Sequence, residues 1–293
     1  MSDNNELPPA PHASVQDILM LPPLPSIAYK LLELVEQEDT NIADLAALIE
    51  QDPGLAARII GIANSAYYAR PTEICSVTEA IVRVLGLNLV RGIAIGIALS
   101  KPFDASACAD FQLDRYWYRA MLTANLAMRL APLSNLEDPA RKCLFLCGLL
   151  HNLGQLVLVN AFPARMSQVF KQWAQQPDQS LLALESKQLA INEIEAGSII
   201  ARRWQLPTSV ASVISFRREP QRAYDTAALV ELVAYCSDLA SNWYSDPTAA
   251  SGPLSTAGPA VADSDPERFA KLLEQARDKE PEIRSLAQAL ASA

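Results

Sequence analysis

The chain has 293 residues, is 50% hydrophobic, and carries a formal net charge of −9 with an isoelectric point near 4.8. This length allows one large core or two smaller ones, and the acidic balance argues against a general nucleic-acid-binding protein, which needs a basic surface to displace counterions from phosphate. Five cysteines without the spacing of a disulfide framework, and a first segment without an apolar leader, predict a cytoplasmic protein.

The first part of the chain predicts a disordered tail followed by a helical lobe. Residues 1–14 are polar and rich in proline, which favours disorder. Over residues 15–105, apolar residues recur at helical spacing, and the last run, residues 87–100, is apolar on nearly every side. Helix-capping signals precede the runs: Ser26, Thr40 or Asn41, Asp52 with Pro53, and Ser76 with Glu79 at capping-box spacing.

Residues 106–244 predict a second helical lobe. Its helical segments are expected at residues 113–131, 140–154, 164–175, 180–189, 193–204, 208–216 and 227–244. No convincing period-two alternation of apolar and polar residues occurs anywhere in the chain, so the predicted fold class is all-α.

One uncharged apolar stretch, residues 143–164, is long enough to cross a bilayer. Its middle holds His151, Asn152 and Gln155, however, and unsatisfied polar groups cost several kcal/mol in lipid. The stretch therefore predicts two buried helices joined at Asn152–Gly154, and no membrane span.

The end of the chain changes in composition. Residues 245–265 are rich in Ala, Ser, Pro and Gly and predict a low-complexity linker. Residues 266–293 form an amphipathic pattern that predicts one C-terminal helix. That helix could dock on the body of the protein or bind a partner, and docking is the favoured interpretation.

The segment "FLCGLLHNLGQ", residues 145–155, raises the question of a metal site. A His–Asp step suits a hydrolytic metal, but such a site needs several further ligands. This chain has two histidines, of which His12 lies in the predicted tail, and Asn152 supplies only a neutral oxygen. The sequence therefore predicts no metal, with His151 as a buried structural imidazole. The i, i+4 pair Cys143 and Cys147 is expected to pack in the core.

Five arginines lie close together along the chain: Arg202, Arg203, Arg217, Arg218 and Arg222. If the helices on either side of "QLPTS" fold together, their guanidinium groups could form a patch that binds phosphate or carboxylate. The favoured interpretation is instead a solvated helix end whose arginines pair with Glu193, Glu195 or Glu219, as surface charge clusters usually do.

Several segments in order resemble the HDOD domain family, an offshoot of the HD phosphohydrolase superfamily, over about residues 16 to 240. They are "LPPLPSIAYKLLELV" (21–35), "IEQDPGLAARIIGIANSAYY" (49–68), "TEAIVRVLGLNLVRGIAI" (78–95), "FLCGLLHNLGQLVL" (145–158) and "EAGSIIARRWQLPTSVASVI" (195–214). The resemblance implies an N-terminal helical lobe packed on an HD-like helical bundle.

The resemblance also implies which residues occupy the former metal site. Metal-binding members have His–Asp where this chain has His151–Asn152, a further His at the position of Glu193, and often a His pair at Arg217–Arg218. The vestigial set is thus His151, Asn152, Glu193, Arg217 and Arg218, and side chains are expected to fill the cleft beside His151.

The family resemblance implies a non-catalytic signalling adaptor that binds signalling proteins and needs no cofactor. The "LPPLP" and "NSAYY" segments are candidate partner surfaces or packing between the lobes. One alternative is a pseudoenzyme that holds a nucleotide or phosphate anion with Arg202, Arg217 and Arg218. A further alternative is a residual metal-dependent phosphodiesterase in which Glu193 and Glu195 replace histidines.

Overall fold

The protein is described by a computed structural model over residues 23–36, 41–65, 68, 72–134, 136, 138–176, 179–245 and 265–291. All regular elements within these ranges are helical, which confirms the all-α prediction. The predicted tail, residues 1–14, and nearly all of the predicted linker lie outside the described residues.

The first group of helices is called the N-terminal lobe here. It comprises α1 (Ser26–Glu36), α2 (Ile42–Glu50), α3 (Pro53–Ala63), α4 (Val77–Glu79) and α5 (Leu87–Ser100). Asn41 caps α2 by accepting a hydrogen bond from the Asp44 amide at 2.8 Å, and Asp52 caps α3. These caps confirm the predicted starts of α2 and α3, because each side-chain oxygen satisfies an amide that the helix itself leaves unpaired.

The segment after Ser76 departs from the predicted regular helix. The Ser76 hydroxyl accepts from the Glu79 amide at 3.1 Å, but the Glu79 carboxylate accepts from Cys75 rather than from Ser76. The reciprocal bond of the predicted capping box is therefore displaced by one residue. Helix α4 continues as a π-helical segment, Ala80–Leu85, and the chain turns at Gly86, whose φ of +81° favours glycine.

The second group of helices is called the second lobe. It comprises α6 (Leu113–Leu130), α7 (Asp138–Leu150), α8 (Leu153–Ala161), α9 (Pro163–Gln175), α10 (Leu181–Leu189), α11 (Glu193–Arg203), α12 (Thr208–Phe216) and α13 (Ala227–Ser245), with a 3₁₀ segment at Pro220–Thr226. Helix α6 lies at its centre and packs against α7 and α13. Helix α11 packs against α8 and α12, and α5 of the N-terminal lobe packs against α7.

The long apolar stretch is broken by a turn at His151–Asn152, between α7 and α8. The predicted junction at Asn152–Gly154 is therefore slightly too late, because Gly154 already lies in the first turn of α8. At Gly154 the backbone of α11 approaches closely, and an added Cβ would lie 1.7 Å from the Glu193 carbonyl oxygen. Residues 140–161 have the length and composition of a membrane span, but 83% of their apolar window is buried inside the protein.

The C-terminal segment consists of two helices, α14 (Pro266–Asp278) and α15 (Glu280–Ala291), where a single helix is predicted. The break at Lys279 has a local cause. Pro281 lies in the first turn of α15, where a helix tolerates proline, and it has no amide with which to continue the hydrogen-bond ladder of α14. The pair is called the C-terminal hairpin. It packs against the body of the protein, with α15 on α6 and α3.

Polar contacts attach the C-terminal hairpin to both lobes. The Arg284 guanidinium lies 4.6 Å from the ring centroid of Tyr118 in α6. The Tyr68 hydroxyl donates to Glu282 at 2.5 Å, and Arg58 of α3 donates to the Leu290 carbonyl at 3.0 Å. The hairpin therefore bridges the two lobes.

Candidate functional site

A cluster of buried polar side chains occupies the second lobe where four helices meet near the turn between α7 and α8. His151 and Asn152 form the turn, Glu193 begins α11, Arg217 follows α12, and Ser237 lies in α13. Each of these residues is at most 5% exposed. The cluster contains four of the five predicted vestigial residues, and they come together although they are up to 66 positions apart.

Both ring nitrogens of His151 are engaged inside the protein. Nδ1 lies 2.7 Å from the Gly148 carbonyl oxygen, and Nε2 lies 2.9 Å from the Ser237 hydroxyl. A carbonyl oxygen can only accept, so Nδ1 carries the proton, and in the neutral ring Nε2 accepts from Ser237. No ring lone pair is left for a metal.

Burial holds His151 in its neutral form. Desolvation lowers the pKa of His151 well below its usual value, and the nearby positive charges of Arg119 and Arg217 lower it further. The hydrogen bond to Gly148 opposes this shift only in part. The imidazole therefore acts as a fixed hydrogen-bonding group between α7 and α13, as the sequence predicts for a buried structural histidine.

Asn152 is fully buried, and within the described part of the chain its side chain forms one long hydrogen bond. Its Nδ2 donates to the Tyr116 carbonyl of α6 at 3.4 Å, and its Oδ1 has no hydrogen-bond partner among the described residues. A neutral amide at this position avoids adding a third buried carboxylate to a cluster that already contains Glu185 and Glu193. It also supplies none of the charge that a divalent ion requires.

The guanidinium of Arg217 lies at the centre of the cluster. Its Nη1 donates to the His151 carbonyl at 2.9 Å, and its Nη2 forms a short ion pair with Glu193 Oε1. The two side chains are 4% and 6% exposed. A buried pair of this kind is strongly interdependent, because removing one partner leaves an uncompensated charge in a low-dielectric interior.

The cluster includes three further residues that were not predicted from the sequence: Ser237, Glu185 and Arg119. The Glu193 amide donates to Glu185 Oε2 at 2.8 Å, so Glu185 of α10 caps the start of α11. Burial raises the pKa of Glu185 well above its usual value, and the neighbouring Glu193 raises it further. Burial also lowers the pKa of Arg119 in α6, while the charge of Glu193 opposes that shift.

A sequence signal for Glu185 was available. Glu185 follows Leu184 and lies four residues before Leu189, on the apolar side of α10. A carboxylate on the buried side of a helix needs a buried partner. Ser237 and Arg119 have no comparable local signal. Ser237 bonds to His151, and Arg119 interacts electrostatically with Glu193, and both of these residues lie outside the helices of Ser237 and Arg119.

The structure does not bring the arginines at 202–222 together into one patch. Arg217 is internal, whereas Arg202 and Arg218 are exposed on the surface. Arg218 forms an ion pair with Asp238 at 3.2 Å, and Arg222 pairs with Glu219 at 2.6 Å. Apart from Arg217, the arrangement agrees with the favoured interpretation of a solvated, paired surface.

The other candidate ligands serve structural purposes. Glu195 completes a capping box with Asn192 at the start of α11 and is exposed. Cys147 is buried, and burial raises the pKa of its thiol, while Cys143 is half-buried. In the described part of the chain, no group of three or more His, Cys, Asp or Glu side chains is placed to hold a metal ion.

These observations test whether the metal of an HD phosphohydrolase would fit. His151 has no free nitrogen, Asn152 carries no charge, and the Glu193 carboxylate is bound by the Arg217 guanidinium. A second cation beside Arg217 would be repelled in a low-dielectric interior. The residues present do not fit the metal.

The candidate partner segments are partly described. In "NSAYY", the Asn64 amide group pairs with the backbone of Ile74 at 2.8 and 2.9 Å, and Tyr68 binds the C-terminal hairpin. These contacts are packing contacts. Residues 66 and 67, and residues 21 and 22 of "LPPLP", lie outside the described residues.

Comparisons with known proteins identify similar chains. The model of the HDOD domain matches residues 21–220. An uncharacterized protein of Treponema pallidum (strain Nichols) is 27% identical over 229 residues, which cover 77% of this chain and 43% of that protein.

Two solved structures are similar along most of the chain. A protein of Marinobacter aquaeolei VT8, provisionally assigned to signal transduction, has a TM-score of 0.77 at 29% identity, covering 94% of this chain and 61% of that one. An HDOD domain protein of unknown function from Geobacter sulfurreducens has a TM-score of 0.71 at 20% identity, covering 95% and 98%. The chain thus spans less than two thirds of the Treponema and Marinobacter proteins, and the Geobacter structure supports the fold alone.

Proposed function

Because the chain belongs to the HDOD domain family, we propose that it is a non-catalytic regulatory protein of bacterial signal transduction that acts in the cytoplasm through contacts with protein partners. The similarity to the Marinobacter protein supports the connection with signalling. The state of the former metal site supports the non-catalytic role.

One observation carries the proposal: the Arg217 guanidinium is bound by Glu193 and by the His151 carbonyl within the vestigial site. A metal in a hydrolytic site holds a water molecule and lowers its pKa to generate a nucleophile. A guanidinium has no open coordination position, so it supplies charge without a nucleophile. The cluster therefore serves to hold α7, α11, α12 and α13 together.

The non-catalytic role is tested on the full chain purified without chelators. We expect substoichiometric metal by elemental analysis and no hydrolysis of a phosphodiester with added Mg²⁺ or Mn²⁺. Stoichiometric metal together with turnover that disappears in Glu193→Gln would overturn the proposal. Arg202→Gln, an exposed change outside the cluster, is the matched control for the purification.

A reconstruction sharpens the same test. The triple variant Asn152→Asp, Glu193→His, Arg217→His returns the residue types of metal-binding members to this cluster. We expect it to bind Mn²⁺ more tightly than the natural chain does in a titration followed by calorimetry. Equal binding by both chains would show that Arg217 and Asn152 are not what excludes the metal, provided that circular dichroism shows the variant folded.

The partner-binding role has its own test. Among the described residues, four large apolar side chains are exposed: Tyr29, Val82, Met128 and Tyr224. Tyr224 is 86% exposed and has a positive φ of 44°, an unfavourable conformation that is often kept at functional positions.

We expect quantitative affinity purification from the source organism to enrich a partner when the natural chain is the bait. The same partner should no longer be enriched when the bait is Tyr224→Ser or Val82→Ser. Arg202→Gln serves as the unchanged surface control. If no protein is enriched reproducibly over a tag-only control under several signalling conditions, the partner-binding proposal fails.

We do not propose anion binding in the vestigial cleft, because Arg217 is already paired with Glu193 and Arg218 with Asp238. A residual phosphodiesterase is likewise not proposed, since Glu195 is occupied in capping α11.

A further inference from the structure

A cavity of about 310 Å³ lies between the two lobes, away from the buried cluster. Its lining comes from both sides: α5 of the N-terminal lobe contributes Arg91 and Gly92, and α7 of the second lobe contributes Arg141 and Phe145. Small-molecule sites are often concave, lie at domain interfaces, and measure roughly 300–1,000 Å³. This cavity lies at the small end of that range.

The polar part of the lining is cationic. Arg91, Arg141 and Lys142 line the cavity together with the amide of Asn88, and no carboxylate occurs among the described lining residues. Such a concentration of one sign is unusual in a chain of net charge −9. It creates a local positive potential that attracts anions.

Arg91 is the most enclosed of the three cations. It is half-buried, and its Nη2 donates to the Asn88 side-chain oxygen at 3.2 Å, a neutral partner. Burial lowers the pKa of Arg91. The neighbouring Cys143 opposes that shift. A partly buried guanidinium that donates to an amide oxygen gains more from an anion than a solvated arginine does, because part of its desolvation has already occurred.

The start of α5 adds to the same potential. Leu87 and Asn88, the first two residues of the helix, line the cavity. Gly86 precedes them and supplies no side-chain cap. The positive end of the helix dipole and the amides of the first turn therefore favour an anion on this side.

The remaining lining is apolar. Ile95 and Leu87 of α5, Val35 of α1, and Phe145 and Leu146 of α7 form this wall. A small inorganic ion would leave such a wall without a contact. The combination of several cations with an apolar wall fits a ligand that has a dianionic group on an organic body.

We propose that this interlobe cavity binds a small organic phosphate, a phosphomonoester whose phosphate contacts Arg91 and Arg141 and whose organic group packs on Phe145. Arginine forks bind phosphate oxygens in pairs, and a dianion balances more of the cationic charge than a carboxylate would. Since the ligand touches both lobes, binding resists their separation. The proposal does not depend on partner binding or on the absence of catalysis.

The test uses isothermal titration calorimetry on the full chain at low ionic strength, with adenosine monophosphate as the probe. Inorganic phosphate and adenosine are titrated separately, because each carries one half of the proposed chemistry. We expect adenosine monophosphate to bind at least about tenfold more tightly than either, as both halves contribute.

Variants locate the binding. Arg91→Gln and Arg141→Gln each remove a charge-assisted hydrogen bond, and we expect each to weaken binding about ten- to a hundredfold. Arg141 is exposed, so its replacement tests the site even if Arg91→Gln proves unstable. Arg202→Gln, on an exposed helix end elsewhere, is expected to bind as the natural chain does.

Three results would overturn the proposal. If adenosine monophosphate does not bind at millimolar concentration, the interlobe cavity is not a phosphomonoester site. Equal affinity for inorganic phosphate rules out a role for the apolar wall. Equal weakening by Arg202→Gln and Arg141→Gln shows that the binding is a general charge effect.

Discussion

The two lobes differ in what they bury. In the described part of the N-terminal lobe the buried side chains are apolar or small, among them Leu31, Ile59 and Ile93. The buried polar and charged side chains lie in the second lobe and the C-terminal hairpin, including His151, Glu193 and Arg217. An apolar core tolerates many sequences of similar volume, whereas a buried ion pair requires both partners. The described part of the second lobe thus contains buried side chains that depend on one another, whereas the buried side chains described in the N-terminal lobe can be exchanged more independently.

Replacing Arg217 is expected to have the largest effect on stability, because it disrupts the buried ion pair of the second lobe. Arg217→Met leaves Glu193 buried without its cation, and we expect the free energy of unfolding to fall by about 3–5 kcal/mol. Urea denaturation followed by circular dichroism measures the loss.

The double variant Arg217→Met, Glu193→Gln removes both charges. We expect it to regain most of the lost stability, because no unpaired charge remains. A double variant as unstable as Arg217→Met would show that the guanidinium acts through packing rather than through its charge.

Gly154→Ala tests the helix contact beside the cluster. The added Cβ would lie 1.7 Å from the Glu193 carbonyl oxygen and 2.7 Å from the Gly197 amide nitrogen, both backbone atoms that cannot move alone. We expect a loss of about 3 kcal/mol or more in the free energy of unfolding, measured in urea, because α8 and α11 must separate. Unchanged stability would contradict the close approach of these two helices.

The two lobes are also expected to differ in how their stability depends on pH, although this effect is smaller than that of the substitutions above. The pKa of His151 is lowered in the folded protein, so its contribution is fully present above about pH 6.5 and is lost as the pH falls toward the folded pKa. We expect the free energy of unfolding to fall by up to about 1.4 kcal/mol per pH unit below pH 6.5 from this residue alone. His151→Gln should lack this component in urea titrations from pH 7 to pH 5.

Two further variants check the sign. The pKa of Glu185 is raised, so its contribution is present below about pH 4.3 and is lost as the pH rises, and Glu185→Gln should remove that opposite slope. Ile59→Val in the N-terminal lobe should lower stability by the same amount at every pH. A slope that His151→Gln leaves unaltered would contradict the buried neutral imidazole.

Gly61→Ala is expected to change the free energy of unfolding least, and to raise it rather than lower it. Gly61 lies in α3 of the N-terminal lobe, is exposed, and has no atom within 4 Å of an added Cβ. We expect a gain of about 0.5–1 kcal/mol in the free energy of unfolding, since alanine restricts the unfolded chain and favours the helix. Thermal unfolding of Gly61→Ala and Gly154→Ala, measured together, compares the same substitution at an exposed and at a buried position. A loss of stability in Gly61→Ala would contradict the exposed position of Gly61.

Much of the fold could be predicted because its signals are local. Asn41 and Asp52 cap helices where the sequence places them, and the turn near His151 follows from polar residues within an apolar run. The π-helical segment at Ala80–Leu85 and the break at Lys279 were not predicted. The residues of the π-helical segment carry the same apolar spacing as a regular helix, and the break follows from a single proline within an otherwise continuous helical pattern.

The candidate site was predicted less completely. The histidine count and the family resemblance identified His151, Asn152, Glu193 and Arg217. They gave no indication that Arg217 turns inward while Arg218, the next residue, stays exposed. That difference depends on which residue faces Glu193 after α12 ends, and only the assembled helices determine it. The interlobe cavity has no sequence signal, because its cations come from separate helices.

The C-terminal hairpin has a consequence for the order of folding. Its contacts with the N-terminal lobe join residues far apart in the chain, such as Arg58 with Leu290, a separation of 232 positions. During synthesis, the N-terminal lobe leaves the ribosome long before Leu290 does, so these contacts form only after most of the chain has been made. Closing so long a loop also costs entropy that the lobe alone does not recover. The surface of α3 and α6 beneath the hairpin is therefore uncovered on the nascent chain and is closed in one of the last steps of folding.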